Sequence, residues 1–164
     1  MDPVSVSIVV GRPREEVFDY LRDIANHAEF TDHYLADWHL TRENTVGRGA
    51  GARFRVKAPF QRFPWAGVSF IEVEAPRRIV EAGRAGKFNR IRTMTVYTLE
   101  PYAGGTTHVE LTSETVPATI SDRLGEALGT RRWMRRQNKR ALKRLRTILE
   151  EGTGRGTRAT IAGG

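Results

Sequence analysis

The last long segment of the chain, residues 119–151, sets the strongest limit on the fold. Apolar or small side chains recur there at three- and four-residue spacing, the pattern of one helix face: Ile120, Leu124, Ala127, Met134, Ala141, Leu142, Leu145, Ile148 and Leu149. No acidic residue occurs between residues 130 and 147, where the opposite face carries Arg132, Arg135, Arg136, Lys139, Arg140, Lys143, Arg144 and Arg146. One face must therefore pack against the rest of the chain, while the other must meet water or an anionic partner.

Two polar residues interrupt the apolar stripe. A helical step of about 100° per residue places Arg131 and Asn138 on the side that faces the core. A polar group beside a core needs a partner, solvent or a ligand, so both are candidate contacts inside a cavity. The alternative is an arginine that snorkels to solvent and an amide bonded to backbone. Gly125 and Gly129 weaken this half of the helix by up to about 1 kcal/mol each, which predicts a kink or a lid near Gly129 and Thr130.

Composition indicates a single globular domain. The 164 residues suffice for one core that buries roughly two-thirds of the unfolded surface. The absence of cysteine excludes disulfides, thiolate nucleophiles and cysteine-ligated zinc or iron–sulfur sites. A formal charge of +8 favours contact with anions without specifying which. Neither a secretion signal nor an apolar run of about 20 residues is evident, so a soluble cytoplasmic protein is expected.

Alternating hydrophobicity predicts seven strands. Val4, Val6, Ile8 and Val10 form the buried face of the first strand, and short helices follow at residues 13–24 and 25–30. Period-two patterns predict further strands at residues 35–42, 52–58, 65–73, 79–84, 89–101 and 106–116. Successive hairpins require an antiparallel sheet, and a long twisted sheet curves. The predicted fold is α+β: a curved seven-stranded antiparallel sheet wrapped around the C-terminal helix over residues 1–151, with a disordered tail at residues 152–164.

The same alternation predicts which side chains face the gap between sheet and helix. The strands contribute Trp38, Phe54, Trp65, Ile71, Tyr97 and Leu111. The helix contributes Ile120, Leu124, Arg131, Met134 and Asn138. Such stripes usually form packed core, but one helix has a large sheet surface to cover here, so an apolar ligand cavity is the competing prediction. We take this set as the candidate ligand-binding residues.

Motifs for other chemistry fail on their context. Residues 47–52 match the pattern G-x-G-x-x-A, but a strand follows them where a dinucleotide site needs a helix. Another cluster has no familiar metal-ligand spacing: His27, Asp32, His33, Asp37 and His39. No nucleophile–histidine–carboxylate arrangement is evident. We therefore predict no catalytic residue, no metal and no cofactor.

The order of elements and several corner motifs resemble the START-like superfamily in its bacterial form, the SRPBCC group of polyketide cyclase/dehydrase and lipid-transport proteins. The matching stretches span nearly the whole chain: GRPREEVFDYLRD, VGRGAGARF, EVEAPRRIV, TVYTLEPYAGGTTHVEL and the basic C-terminal helix. The resemblance implies a helix-grip fold of the START/Bet v 1-like type, with an apolar cavity between the sheet and the last helix. Members of the superfamily bind lipids, polyketides, sterols, hormones or quinones, and a minority catalyse cyclisation or dehydration.

Three classes of function stay open at this point. The first is binding of a hydrophobic small molecule or lipid that is polyketide-, quinone- or fatty-acid-like. The second is a polyketide cyclase/dehydrase-type enzyme that transfers protons on a bound ketone, with Tyr97, His33, Arg131 and Asn138 as donors. The third is contact of the basic helix face with an anionic membrane or the ribosome. The superfamily includes coenzyme-Q-binding proteins and a ribosome-associated toxin, so the resemblance allows either contact.

Overall fold

The computed structural model describes residues 1–59, 61–120 and 129–163. In chain order the elements are β1 (Val4–Val10), α1 (Arg14–Leu21), α2 (His27–Thr31), β2 (Leu35–Leu40), β3 (Gly51–Val56), β4 (Trp65–Glu74), β5 (Arg78–Ala85), β6 (Ile91–Tyr102), β7 (Thr106–Val116) and α3 (Thr130–Glu151). Single turns of 3-10 helix occur at Ile24–Asn26, Lys87–Asn89 and Ala103–Gly105. The α+β class and the predicted order of elements are confirmed.

The seven strands form one antiparallel sheet in the order β1-β7-β6-β5-β4-β3-β2. Strands β2 to β7 follow one another as neighbours, whereas β1 pairs with β7 in the register Val4 to Ser113. The long helix α3 packs mainly on β1 and also contacts β7 and α2. This curved sheet around one long helix is the predicted helix-grip architecture.

The apolar face of α3 anchors it to the sheet. Its buried apolar residues are Ala141, Leu142, Leu145 and Ile148, each at most 1% exposed. A fully buried leucine or isoleucine contributes about 1.5–3 kcal/mol, so this stripe outweighs any single polar contact of the helix. Its C-terminal end is also tied to the turn after β1, because the Gly11 amide donates to Oε1 of Glu150 at 2.6 Å.

A β-bulge in β4 corrects two predicted orientations. The register of β4 with β5 shifts between Phe70 and Glu72. Period two does not continue through a bulge, so the inward residue there is Phe70, which is 1% exposed. Trp65 and Ile71 are 40% and 44% exposed, and the prediction that they face the helix is wrong. Alternation alone could not locate the shift, because Phe70 and Ile71 are both large and apolar.

The helix prediction needs a second correction at its N-terminal half. Gly129 has a left-handed backbone with φ of 99°, so the predicted break is confirmed and α3 begins at Thr130. Ile120, which was predicted on the same inner face, is 77% exposed instead of buried. Arg131 is also exposed, because it lies in the first turn and the buried positions of α3 begin at Asn138. The predicted inward residue Leu124 lies outside the described residues.

The C-terminal tail is where the structure differs from the expected disorder. Residues 153–163 run back over α2, where the Gly156 amide donates to the Glu29 carbonyl at 2.8 Å and Ala159 to Ala25 at 3.0 Å. The Leu40 amide donates to the Thr160 carbonyl at 2.9 Å, which adds a short bridge to β2. Backbone hydrogen bonds hold this tail in place. The prediction of disorder was based on low apolar content, which carries no information on such bonds.

Two ion pairs support the same path. Nη1 of Arg155 lies 3.4 Å from Oε2 of Glu29, a buried carboxylate that also accepts from the Tyr20 hydroxyl at 2.8 Å. Nη2 of Arg158 lies 2.5 Å from Oδ2 of Asp23. The tail cations therefore compensate two acids, Glu29 in α2 and Asp23 between α1 and α2.

Removal of residues 153–164 is expected to lower the free energy of unfolding by about 2–4 kcal/mol. The three backbone hydrogen bonds are each worth about 1 kcal/mol, and Glu29 would stay buried without Arg155. Urea denaturation of the full and shortened chains measures the change. The single substitution Arg158→Ala is the control and should cost less than about 1 kcal/mol, because that pair is partly exposed. Equal stability of the full and shortened chains would show that the tail does not pack.

Candidate functional site: an interior polar cluster

The concave face of the sheet carries polar side chains within an apolar wall. Cross-strand pairing aligns Ser113 of β7 with Thr95 of β6, and Thr95 with Glu81 of β5. Tyr97 lies two residues along β6 and pairs with Ile79. Because paired residues and alternate residues share a face, Ser113, Glu81 and Tyr97 all point toward the helices. Together with Tyr34, Asn138 and His27 they form what we call the interior polar cluster.

Asn138 links α3 to the sheet through this cluster. It is 1% exposed, and its Nδ2 donates to Oγ of Ser113 at 2.9 Å. Its Oδ1 accepts a long hydrogen bond, 3.5 Å, from the Tyr34 hydroxyl. The Tyr34 ring packs edge-on against Trp133, with centroids 5.9 Å apart. Of the two polar residues predicted on the inner stripe of the helix, Asn138 is buried in the interior and Arg131 is exposed.

The two buried tyrosines stay protonated hydrogen-bond donors. Burial raises the pKa of Tyr97 well above its ordinary value, and the nearby Glu81 carboxylate raises it further. Burial and Glu81 raise the pKa of Tyr34 in the same way. Tyr97 is only 4% exposed and lies on the same face of the sheet as Glu81. Its hydroxyl is a hydrogen-bond donor, which makes it a candidate contact for a guest molecule.

His27 is held in an aromatic pocket that fixes its ring. Its ring centroid lies 5.3 Å from Phe30, 5.5 Å from Phe70 and 5.4 Å from Tyr97. Nε2 lies 2.7 Å from the Leu21 carbonyl oxygen, which can only accept, so Nε2 carries a hydrogen. The second ring nitrogen, Nδ1, therefore decides the charge of the ring.

Nδ1 of His27 lies 2.9 Å from Oε1 of Glu81, and both residues are buried. Two lone pairs at this separation would repel, so at least one of the two groups carries a proton: either an imidazolium faces a carboxylate, or a protonated Glu81 faces a neutral ring. The contact is close but lacks hydrogen-bond geometry, and Oε1 has no hydrogen-bond partner among the described residues. The cluster thus contains one buried acid–base pair in which the carboxylate oxygen contacts the ring nitrogen without a hydrogen bond.

The predicted site residues divide into inward and outward groups. Trp38, Phe54, Tyr97, Leu111 and Asn138 are buried on the interior side, with the Trp38 and Phe54 rings 4.6 Å apart. Met134 is half-buried. The exposed members are Trp65, Ile71, Ile120 and Arg131. The structure therefore brings together about half of the predicted set.

Glu81 and Tyr34 are interior residues that sequence reasoning missed. Glu81 follows the inward Ile79 by two residues, so alternation does place a carboxylate inside. That signal was weak because Val80 on the opposite face of β5 is also buried, which blurs the pattern. Tyr34 precedes β2 by one residue and has no periodicity of its own. The sequence signal that could have identified Glu81 is a carboxylate at an inward position of a strand.

The histidine and aspartate cluster noted in the sequence does not form a metal site. No group of metal-binding side chains occurs among the described residues. Asp32 instead pairs with Arg144, which also donates to the Glu29 carbonyl at 3.1 Å. His33 lies beside Arg144, with Nδ1 3.3 Å from Nη1, and contacts the Gln137 carbonyl at 3.4 Å. These residues join α2 to α3, at the border of the interior.

An open groove of about 330 Å³ lies at the start of α3. Gly129, Arg132, Trp133 and Arg136 line it. Because Trp133 also packs on Tyr34, the groove lies next to the interior polar cluster. No helix among the described residues is long and apolar enough to cross a membrane.

A curved antiparallel sheet closed by one long helix, with a polar cluster between them, defines a helix-grip protein of the START-like SRPBCC type. The family profile of activator of Hsp90 ATPase homolog 1-like proteins (AHSA1) matches residues 12–150. The chain belongs to this family. No curated protein sequence gives a significant match to it.

Solved structures share the fold at low sequence identity. KanY is 16% identical with a TM-score of 0.70, covering 92% of this chain and 99% of its own. TTHA0849 from Thermus thermophilus is 15% identical with a TM-score of 0.67, covering 92% and 99%. DynU16, described as a putative protein in the dynemicin biosynthetic locus, is 16% identical with a TM-score of 0.62; 95% of this chain matches 50% of it. This chain therefore spans about half the length of DynU16.

The stability of the protein should depend on His33 at mildly acidic pH. Burial, more than the neighbouring Arg140 and Arg144, lowers the pKa of His33 to about 4. The unfolded chain, with a histidine pKa of about 6.5, binds more protons between these values, so stability falls as the pH drops from about 6.5 to about 4. Because His33 is half-exposed, we expect a loss of about 1–2 kcal/mol.

Histidine NMR titration combined with urea unfolding at several pH values measures this effect. The variant His33→Gln should lose that part of the pH dependence and keep the rest. A titration midpoint for His33 near 6.5 would contradict the prediction.

Proposed function

We propose that this protein binds one hydrophobic small molecule carrying a neutral oxygen group, held between the concave face of the sheet and α3. The observation that carries the proposal is the interior polar cluster. In particular, the buried Oε1 of Glu81 has His27 beside it at 2.9 Å but no hydrogen bond within the described residues, and the buried Tyr97 lies on the same face of the sheet. A buried carboxylate oxygen without a hydrogen bond and a buried hydroxyl donor are suited to contact with a ligand oxygen or hydroxyl group.

The chemistry of the cluster narrows the ligand class. Trp38, Phe54 and Leu111 offer apolar and aromatic surface for rings or chains. Tyr97 offers a hydroxyl donor, which matches a carbonyl or hydroxyl oxygen on the ligand. A carboxylate ligand would bring a second negative charge toward Glu81, which is unfavourable in a buried site. The cluster therefore favours polyketide- or quinone-like molecules over a fatty-acid anion.

The family and the shared fold support this proposal without identifying the ligand. The family takes its name from an activator of the Hsp90 ATPase, and a fold shared at 15–18% identity does not transfer an activity. The neighbour DynU16 is described only by its place in a biosynthetic locus for dynemicin. The support for the proposed ligand class therefore comes from the interior residues of this chain.

Binding of N-phenyl-1-naphthylamine, a neutral apolar fluorophore, tests the proposal. The wild-type protein should enhance its fluorescence with saturable, one-to-one binding. Leu111→Trp adds bulk to the inward wall and should weaken binding about tenfold or more, because overpacking costs about 1–3 kcal/mol.

The matched control is Trp65→Ala, which removes a large aromatic side chain from the exposed face of the same sheet. This variant should bind the probe as the wild type does. Equal loss in both variants, or no saturable binding in the wild type, would contradict an interior site. Thermal unfolding of each variant confirms that it is folded.

A second candidate function is proton transfer on a bound ketone, as in a polyketide cyclase or dehydrase. The observation that favours it is the His27–Glu81 pair next to the Tyr97 ring. In this reaction the Glu81 carboxylate would take a proton from the carbon next to the carbonyl. The electron pair would move to the carbonyl oxygen, which accepts a hydrogen bond from Tyr97.

Exchange of the α-protons of 2-tetralone in D₂O, followed by proton NMR, tests this second function. The wild-type protein should accelerate exchange, and Glu81→Gln should remove at least about 100-fold of the acceleration. Tyr102→Phe, on the exposed hairpin after β6, is the control and should exchange at the wild-type rate. Absence of acceleration by the wild type would leave ligand binding as the sole proposal.

A further inference from the structure

Exposed apolar side chains gather at one end of the sheet. Cross-strand pairs between Arg55 and Trp65, and between Ala85 and Ile91, place the β3–β4 and β5–β6 connections at the same end. The pair between Arg92 and Val116 brings the end of β7 there as well. We call this region the loop end. Its exposed apolar residues are Phe63, Phe88, Val116 and Ile120, which are 40%, 85%, 48% and 77% exposed.

Phe88 is unfavourable for stability in two ways. Its side chain is the most exposed large apolar group among the described residues. Its backbone is also left-handed, with φ of 57°, a conformation that costs a residue with a bulky side chain. Asn89 beside it is also left-handed, with φ of 54°, a conformation that asparagine adopts more readily than phenylalanine. A strained turn that displays a phenylalanine to solvent indicates a surface built for contact.

Cations surround these apolar side chains. Nζ of Lys87 lies 5.9 Å from the ring centroid of Phe63 and 5.1 Å from that of Phe88, so it sits between the two rings. The guanidinium of Arg62 lies 5.7 Å from the Phe63 ring. The loop tips thus present two aromatic rings held together by positive charge.

The start of α3 adds further charge at the same end. Asn138 is level with Ser113, so Arg131, seven residues earlier and about 10 Å along the helix axis, is level with the end of β7 near Val116. Arg131, Arg132, Arg135 and Arg136 are exposed there. Within the described part of the chain, the cations of α3 that pair with a carboxylate are Arg144 and Arg146, both nearer its C-terminus.

We propose that the loop end docks onto an anionic phospholipid bilayer. Phe88, Phe63 and Ile120 enter the headgroup region, while Lys87, Arg62 and the arginines at the start of α3 meet the lipid phosphates. Apolar side chains interspersed with cations are the makeup of peripheral membrane surfaces, and each cation near an anionic bilayer strengthens binding about fivefold. A nucleic acid would use the cations but would leave the apolar Val116 and Ile120 in water, so the bilayer fits better.

The docked orientation follows from the fold. The groove lined by Gly129, Trp133 and Arg136 lies at this same start of α3 and would face the lipid surface. The opposite end carries the hairpin with Tyr102, which would point to solvent. Docking does not depend on the interior site, so each proposal can fail without the other.

Co-sedimentation with vesicles tests the docking. Vesicles of phosphatidylcholine with about one-third phosphatidylglycerol should bind the wild-type protein, and pure phosphatidylcholine should bind it at least about tenfold more weakly. The double variant Phe63→Ser/Phe88→Ser should lose about tenfold or more of the binding, since each apolar side chain contributes by leaving water. Arg131→Glu/Arg132→Glu should lose a similar factor and should make the remaining binding less dependent on salt.

Tyr102→Ser is the control, because it removes an exposed aromatic, 57% exposed, from the opposite end. It should bind vesicles as the wild type does, and circular dichroism should show that all variants are folded. Failure of the wild-type protein to bind anionic vesicles would overturn the proposal. Equal binding of the wild type and the double phenylalanine variant would also overturn it. Tight binding to ribosomal RNA without vesicle binding would also overturn it and would assign the cations to a nucleic acid.

Discussion

The contact between α3 and the sheet determines the rest of this structure. Its C-terminal half buries a continuous apolar stripe and is tied to the turn after β1 through Glu150. Its middle instead buries an amide, Asn138, which bonds to Ser113 on the sheet. The helix is therefore anchored by apolar packing at one end and faces the interior polar cluster further along. The apolar part of the interface, which holds the fold, is therefore distinct from the part that contains the polar cluster.

The interior polar cluster contains polar groups with hydrogen-bond partners and a polar group without one. Asn138 and Ser113 are hydrogen-bonded to each other, whereas Oε1 of Glu81 has no hydrogen bond among the described residues. A polar group buried in a core without a role would be expected to cost stability, and replacement by an apolar residue would remove that cost. Under the proposed function, these groups would instead contact an oxygenated guest molecule.

Much of the fold follows from local patterns, and the misses have physical causes. The alternation in β6 and β7 runs without interruption, so Tyr97 and Leu111 were placed inward correctly. The bulge in β4 changes the register by one residue next to two adjacent large apolar residues, so alternation does not reveal it. Trp65 and Ile71 were therefore predicted on the wrong face. The His27–Glu81 contact joins residues 54 apart in sequence, so it depends on how α2 lies over β5. The ordered tail depends on backbone hydrogen bonds, which leave no trace in composition.

We propose that an apolar guest binds between the sheet and α3. Intermolecular NOEs between the aromatic protons of N-phenyl-1-naphthylamine and assigned side-chain methyl groups would locate it. We expect NOEs to Leu111 on the inward face of β7 and none to Ile71 on the exposed side of the sheet. NOEs to Ile71 in place of Leu111, or a saturated complex without any contact to Leu111, would contradict it.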